Sequence, residues 1–320
     1  MSAAPLLAGY AADLLAGDPR RWHPVAGFGR TTGLLERRLY APTRRRGALL
    51  TAVLVAGAAL CAEVLARAGS RLGLRRGVVL AAVLWTALGG RSLRREALHV
   101  GDLVERGELA RARSALRALC GRDAAELDGA GVCRAAVESV AENTGDAVVG
   151  ALLWGAIAGP PGVAAYRAAN TLDAMVGHRS ERYAAFGWAA ARLDDVMSWP
   201  AARMAAALAC LAAPVVGGSP REALRIVRRD GRAHPSPNAG RVESAFAGAL
   251  GLRLGGPLAY AGRVESRPTL GDGRAPAVED VQRAARLSLA VGVGSAALCA
   301  IARAAVDRAA LDRTALAGPR

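Results

Sequence analysis

The sequence predicts an all-α, polytopic integral membrane protein: one membrane-embedded domain over residues 1–320, with about four to six apolar helical segments and helical polar loops. Three observations lead there. The 320 residues are 52% hydrophobic and have a mean hydropathy of +0.22, more apolar than a soluble surface allows. Charge-free runs recur at 1–12, 47–62, 77–90, 147–166, 204–220 and 287–302. Arginines flank those runs, as basic side chains do beside anionic lipid headgroups.

The elements follow in order. Run 1–12 lacks a basic n-region and leads straight into Asp13, so it does not read as a cleavable signal peptide. A helix crossing the hydrocarbon needs about 20 apolar residues, so runs 47–62 and 77–90 span only by borrowing their flanks. Arginines crowd 20–46, yet four more lie in 67–76, and the positive-inside rule gives no orientation. Residues 109–119 read as an amphipathic Ala/Arg/Leu helix without chemistry. Run 147–166 is interrupted by Gly159-Pro160-Pro161-Gly162, which predicts a short helix pair dipping into the bilayer. Stretches 91–146, 167–203 and 221–286 read as polar, largely helical loops, with a surface loop at 268–276. Neither a strand pattern nor an internal repeat stands out.

Composition excludes several classes. The apolar content rules out disorder, and five scattered cysteines rule out a disulfide scaffold. Cys61, Cys210 and Cys299 lie in apolar runs and read as small core residues. All 42 basic residues are arginine. Without lysine there is no Walker-type phosphate loop, no pyridoxal-phosphate aldimine and no lysyl-adenylate chemistry. The net charge of +15 comes with only 4% aromatics and no recognition motif, so nucleic acid is not an expected partner.

Four polar clusters carry residue types that folding alone does not require. The first is Asp13, Asp18-Pro19 and His23-Pro24. The second is Glu138, Glu142-Asn143-Thr144-Gly145-Asp146, where carboxylates at i and i+4 share a helix face. Three carboxylates and an amide suit Mg²⁺, although the same spacing also fits a solvated acidic face. The third runs from Asn170 and Asp173 through His178, Arg179 and Arg182, followed by Arg192 and Asp194-Asp195. Arginine forks suit phosphate or carboxylate, while an Asp-Asp pair equally fits an N-terminal helix cap. The fourth is Arg229-Asp230 with His234-Pro235-Ser236-Pro237-Asn238-Ala239-Gly240, a loop made rigid by its prolines. No zinc spacing, nucleophile elbow or dinucleotide fingerprint is present. Read from residues alone, this is a membrane protein with a polar site suited to magnesium and phosphate.

At these residues the sequence resembles a known family. Gly17-Asp18-Pro19 with His23-Pro24-Val25, Ser139-Val140-Ala141-Glu142-Asn143-Thr144, the run from Tyr166 to Arg179, Ala191-Arg192-Leu193-Asp194-Asp195, and Arg229-Asp230-Gly231 with His234 to Gly240 are, in this order, similar to the CobD/CbiB family of cobalamin biosynthesis. Gly145, Ala147 and Arg241-Val242 depart from that family's usual residues. The resemblance implies a membrane-bound adenosylcobinamide-phosphate synthase. Such an enzyme is a carbon–nitrogen ligase joining (R)-1-amino-2-propanol, or its O-phosphate, to the ring-D propionate of adenosylcobyric acid. It implies ATP and Mg²⁺ as cofactors and no pyridoxal phosphate. Its implied partners are the corrinoid, the aminopropanol, the lipid bilayer and other late membrane enzymes of the pathway. It also implies the cell membrane as location, with the active site on the cytoplasmic side.

Under the resemblance His178, His234, Asp173 and Asp230 are the catalytic candidates, either histidine taking the proton of the incoming ammonium. Arg179, Arg182 and Arg192 would hold phosphate, with Asn170, Asn143, Asn238 and Ser236 lining the cofactor. Glu142, Asp146, Asp194 and Asp195 would hold the metal, and Asp173 is a further metal candidate. The alternative from another class is a polytopic corrinoid transporter or a membrane scaffold for corrinoid assembly.

Overall fold

The computed structural model describes residues 3–19, 23–121, 124–178, 180–260 and 263–316. Helix α1 (Ala4–Ala16) begins with a proline in its first turn and ends at Gly17, as helix-boundary chemistry favours. Helix α2 (Pro24–Leu39) is capped by His23, whose Nδ1 accepts from the Val25 N–H at 3.2 Å. Helix α3 (Arg44–Arg71) is capped by Thr43, and α4 (Arg76–Ala87) follows it closely. Helices α5 (Gly90–Glu105) and α6 (Leu109–Leu116) precede α7 (Gly129–Asn143), which starts at the N-cap Asp128. A π turn (Thr144–Val149) joins α7 to α8 (Gly150–Leu172), and a second one (Asp173–Gly177) ends α8. Then come α9 (Trp188–Ala212), α10 (Pro220–Asp230), α11 (Ala239–Leu250), strands β1 (Leu254–Tyr260) and β2 (Arg263–Leu270), and α12 (Val278–Leu316). Ser219 caps α10 with Glu222 three residues on, the spacing of a capping box.

The all-α expectation holds, with one local correction. Strands Leu254–Tyr260 and Arg263–Leu270 pair antiparallel, so the expected absence of strands and the surface loop from 268 are both revised. The strands have no alternating apolar pattern to betray them. Backbone pairing and the Glu138 carboxylate, which accepts the Gly255 N–H at 2.7 Å, hold the hairpin instead.

The chain falls into two compact units, each assembled from separated stretches. Unit 1 comprises Met1–Gly89, Gly150–Met197 and Ser295–Arg320; unit 2 comprises Gly90–Val149 and Ser198–Gly294. In unit 1, α3 packs along α8 and α1 along α4. Its core gathers Leu50 and Leu54 of α3, Leu172, Val176, Phe186 and Ala190. In unit 2, α5 packs on α6 and α7, and α10 on α11. Val132, Val137, Val140, Phe246 and Leu250 are buried there.

Four helical stretches are long and apolar enough to cross a membrane: Arg44–Arg71, Gly129–Gly177, Trp188–Val216 and Val278–Ala309. At 1.5 Å per residue the 28 residues of α3 reach about 42 Å, beyond the ~30 Å hydrocarbon core. Helices α1 and α4, with 13 and 12 residues, reach only about 20 Å and do not span singly. Exposed Leu49, Val53, Leu60 and Val64 line one face of α3, and Leu289, Val293 and Ile301 line α12. Water would not tolerate such stripes on a monomer surface, whereas acyl chains do. The Gly-Pro-Pro-Gly break kinks α8 at Gly159, whose φ of 67° is a backbone conformation closed to most residues. Alkaline carbonate washing of membranes should therefore leave the protein in the pellet, as an immunoblot of both fractions would record. Release into the supernatant would sink the spanning assignment.

Candidate functional site

In unit 1 the third cluster occupies the point where α8 stops being regular. The Thr171 hydroxyl donates back to the Arg167 carbonyl at 2.7 Å, a local bond that loosens the helical ladder. The π turn that follows re-aims Asp173, which is half-buried. Single π turns occur often at functional positions, because the extra residue redirects a side chain while the helix continues. Asn170 links two helices. Its Oδ1 accepts from Arg167 at 2.9 Å, and its Nδ2 donates to Asp194 of α9 at 3.3 Å. Asp194 is only 8% exposed, while Asp195 is half-buried and lies 3.5 Å from Arg192. Helix α9 starts at Trp188, so the aspartate pair is inside the helix and the N-cap reading is excluded.

The segment carrying His178 is fastened to α2 by a residue that sequence reading missed, Glu36. Its Oε1 accepts from Arg182 at 3.0 Å and from the Tyr183 hydroxyl at 2.7 Å. The Arg182 guanidinium lies 4.1 Å above the Tyr40 ring, and Tyr40 donates to the Arg182 carbonyl. The bond to Glu36 holds the Arg182 pKa above its ordinary value, while burial and Glu36 push the Tyr183 phenol up. His178 meets the Tyr183 ring edge-on at 4.8 Å and is exposed. Among the described residues, no side chain hydrogen-bonds its ring nitrogens. Arg179 lies outside the described residues.

In unit 2 the second cluster repeats the device of the third. Asn143-Thr144-Gly145-Asp146 and Asn170-Thr171-Leu172-Asp173 are both Asn-Thr-x-Asp, and each straddles an α-to-π junction. Thr144 donates to the Val140 carbonyl at 2.6 Å, as Thr171 does to Arg167, and also meets Ser288 at 2.7 Å. Asn143 donates through Nδ2 to Ser139, so its carbonyl oxygen is turned away from α7. Glu142 is exposed and Asp146 half-buried, but Glu138 is 4% exposed and committed to the hairpin. The three-carboxylate grouping expected on α7 therefore does not form. Among the described residues, no set of three or more His, Cys, Asp or Glu is placed to hold a metal. Magnesium itself needs only one or two carboxylates beside waters and phosphate.

The fourth cluster builds a loop from its own side chains. His234 Nδ1 accepts the Ser236 N–H at 3.0 Å, and Ser236 Oγ accepts the N–H groups of Asn238 and Ala239. Asn238 is buried and accepts from Arg203 at 2.6 Å. Gly240 is required because the His234 side chain fills the space a Cβ would take. Asp230 is held from three sides. Arg229 donates to both its oxygens at 2.7 and 2.8 Å, and the Gly271 N–H reaches Oδ2 at 2.8 Å. Those bonds, the Arg229 fork first, hold the Asp230 carboxyl below the usual aspartate range.

A carboxylate whose folded pKa is lowered contributes stability that is present above the unfolded value of ~3.9. That stability disappears as pH falls through the lowered folded value. Asp230→Asn should cost about 1–3 kcal/mol, the worth of charge-assisted hydrogen bonds at a mostly buried carboxylate. Thermal unfolding in detergent micelles should show the loss at pH 7. The gap between the two proteins should narrow below pH ~4 as wild-type Asp230 protonates. An unchanged midpoint at pH 7 would refute the fastening role.

Comparison with known proteins bears on the same residues. The family model described as CobD/Cbib protein matches residues 6–288. A cobalamin biosynthesis protein CobD of Mycobacterium tuberculosis is 52% identical over 293 residues, covering 92% of this chain and 93% of that protein. The proteins of that name from Geobacter metallireducens and Chromobacterium violaceum are 48% and 45% identical, over 81% and 86% of this chain and 83% and 88% of theirs. No solved structure matches. With the family model covering residues 6–288 and a relative 52% identical over nearly the whole chain, this protein belongs to the CobD/CbiB family of cobalamin biosynthesis.

Proposed function

We propose that the protein forms the amide between (R)-1-amino-2-propanol, or its O-phosphate, and the ring-D propionate of adenosylcobyric acid. The observation that carries the reading is the unit 1 cluster, where Asn170 binds Asp194 of α9 next to the π turn that begins at Asp173, in a chain of this family. Amide formation releases water, and a carboxylate resists attack by an amine at neutral pH. ATP with Mg²⁺ would supply the activation when bound. Within unit 1, Asp194 and Asp195 would hold the cation, and Arg192 with Arg179 and Arg182 would face phosphate oxygens. Within unit 2, Glu142 and Asp146 are the corresponding pair. Arg182 already engages Glu36, so its remaining N–H groups are the ones left for a ligand.

The amine arrives as an ammonium and attacks only after losing a proton. His178 suits that step, being exposed just past the π turn that carries Asp173 and having ring nitrogens that no described side chain engages. Replacing Asp173 by Asn keeps the shape of the side chain but removes its charge. Amide formation by purified protein should fall about 10²- to 10⁴-fold, the usual worth of a positioned acid–base group. The variant should still fractionate with membranes; near-normal turnover would reduce Asp173 to a packing residue.

Feeding separates this enzyme from a corrinoid transporter or scaffold. A strain lacking the gene should fail to make cobalamin from cobyric acid and succeed from cobinamide, since only the second already contains the amide. An importer would be needed for both supplements, and a scaffold for later steps would impair both routes. Growth on cobyric acid, with no second copy of the gene, would end the assignment.

A further inference from the structure

The two ends of α3 differ in how their arginines are matched. The exposed apolar stripe of this helix runs through Leu49, Val53, Leu60 and Val64. Exposed Arg46 continues it three residues before Leu49, and exposed Arg67 three residues after Val64. The 21 steps from Arg46 to Arg67 rise about 32 Å, against a hydrocarbon core of ~30 Å, so each arginine lies where headgroups begin. At the second end, Arg67 and Arg76 both donate to Glu63. The first end has no such acid. Residues 37–46 hold five arginines and no carboxylate. All five are exposed, and among the described residues none is paired with an acidic side chain. Glu36, the acid next to them in sequence, is turned to Arg182 and Tyr183.

Helix electrostatics account for only two of the five. Arg37 and Arg38 lie in the last turn of α2, where carbonyl ends favour a cation. Arg44, Arg45 and Arg46 fill the first turn of α3, an end that is itself positive, with no acid among them. Adjoining forks at a positive helix end repel one another, and an anion from outside the chain balances them. An aromatic ring marks the same level. The Arg44 guanidinium lies 5.2 Å from the Trp188 ring, which is 42% exposed, and tryptophan concentrates at the headgroup depth of a membrane.

We propose that Arg37, Arg38, Arg44, Arg45 and Arg46 form a surface of unit 1 that binds the phosphates of anionic phospholipid headgroups. The forks grip phosphate oxygens, and the acyl chains of the same lipid lie along Leu49 and Val53. A soluble phosphate meets the forks alone, whereas a lipid meets the forks and the stripe beneath them together. The inference rests on α3 spanning the membrane and is independent of the proposed reaction.

The test uses full-length protein, delipidated in detergent micelles, with phosphatidylglycerol and phosphatidylcholine as probes and native mass spectrometry as the readout. Each arginine near an anionic surface is worth about fivefold in binding, so wild type should prefer phosphatidylglycerol at least about tenfold. In the R37Q/R38Q/R45Q/R46Q variant, which keeps Arg44 on Trp188, that preference should shrink to about threefold or less. The R71Q/R75Q variant removes two exposed arginines from the opposite end of α3 and should retain it. An equal loss in R71Q/R75Q, or full preference in the quadruple variant, would overturn the surface. Inorganic phosphate added at constant ionic strength should not displace the lipid; displacement would make this a soluble-anion site and end the lipid assignment. Should the quadruple variant fail to fold, wild type still decides. Nanodiscs containing phosphatidylglycerol should protect Arg45 and Arg46 from phenylglyoxal relative to phosphatidylcholine nanodiscs, read by peptide mass spectrometry, and equal labelling would refute the proposal.

Discussion

A backbone that crosses hydrocarbon has no water to receive its N–H and C=O groups, and every other feature of this chain is arranged around that constraint. Regular helix is the cheapest solution, which is why Arg44–Arg71 and Val278–Ala309 run long and carry exposed leucine and valine. Chemistry, however, needs side chains aimed where a regular helix does not point them. The chain meets both demands by introducing irregularity in small steps that lose few backbone bonds. A π turn shifts the ladder by one residue, and a threonine hydroxyl attends the carbonyl four residues back at each such junction. The break at Gly159 is likewise followed at once by resumed helix.

Two devices are each used twice. Asn-Thr-x-Asp marks both α-to-π junctions, and in each case its aspartate lies within the π turn, third in Thr144–Val149 and first in Asp173–Gly177. His-Pro is the second. In His23-Pro24 and His234-Pro235 the imidazole Nδ1 accepts the N–H two residues on, so the ring imitates the oxygen of an Asx turn. Proline between them has no N–H to compete and fixes the backbone angle. Both histidines are thereby spent structurally at Nδ1, which separates them from His178 even though a sequence makes all three look alike.

The helices were legible because apolar runs and their arginine flanks obey one constraint, membrane thickness. The Gly-Pro-Pro-Gly break was legible because proline chemistry is local. The hairpin was not, since strands built on glycine, proline and arginine carry no period-two pattern and rely on a remote carboxylate, Glu138. Spacing alone put Glu138 beside Glu142; burial then turned one inward and left the other in solvent. Glu36 was invisible for the opposite reason. It lies among ordinary arginines of an amphipathic helix, and only the fold brings it to Arg182 and Tyr183, 146 and 147 residues away. The recurrence of Asn-Thr-x-Asp was available in the sequence, but four residues become a signal only once both copies prove to sit on the same kind of helical defect.

Composition sharpens the division of labour among the charges. With arginine as the sole basic side chain, every cation is a rigid fork that cannot be neutralised at physiological pH, so each must be matched or solvated. Asp280 illustrates matching. It is fully buried and accepts from Arg274, from Arg283 and from the Ala277 N–H, leaving no acceptor position for a metal or a substrate. Asp230 is treated the same way by Arg229 and Gly271. Asp194 accepts instead from the neutral amide of Asn170 across α8 and α9. A carboxylate matched by guanidinium forks on every side is a fastener. The arginines follow the complementary rule: those matched by carboxylates, such as Arg229, Arg274 and Arg283, fasten helices and loops.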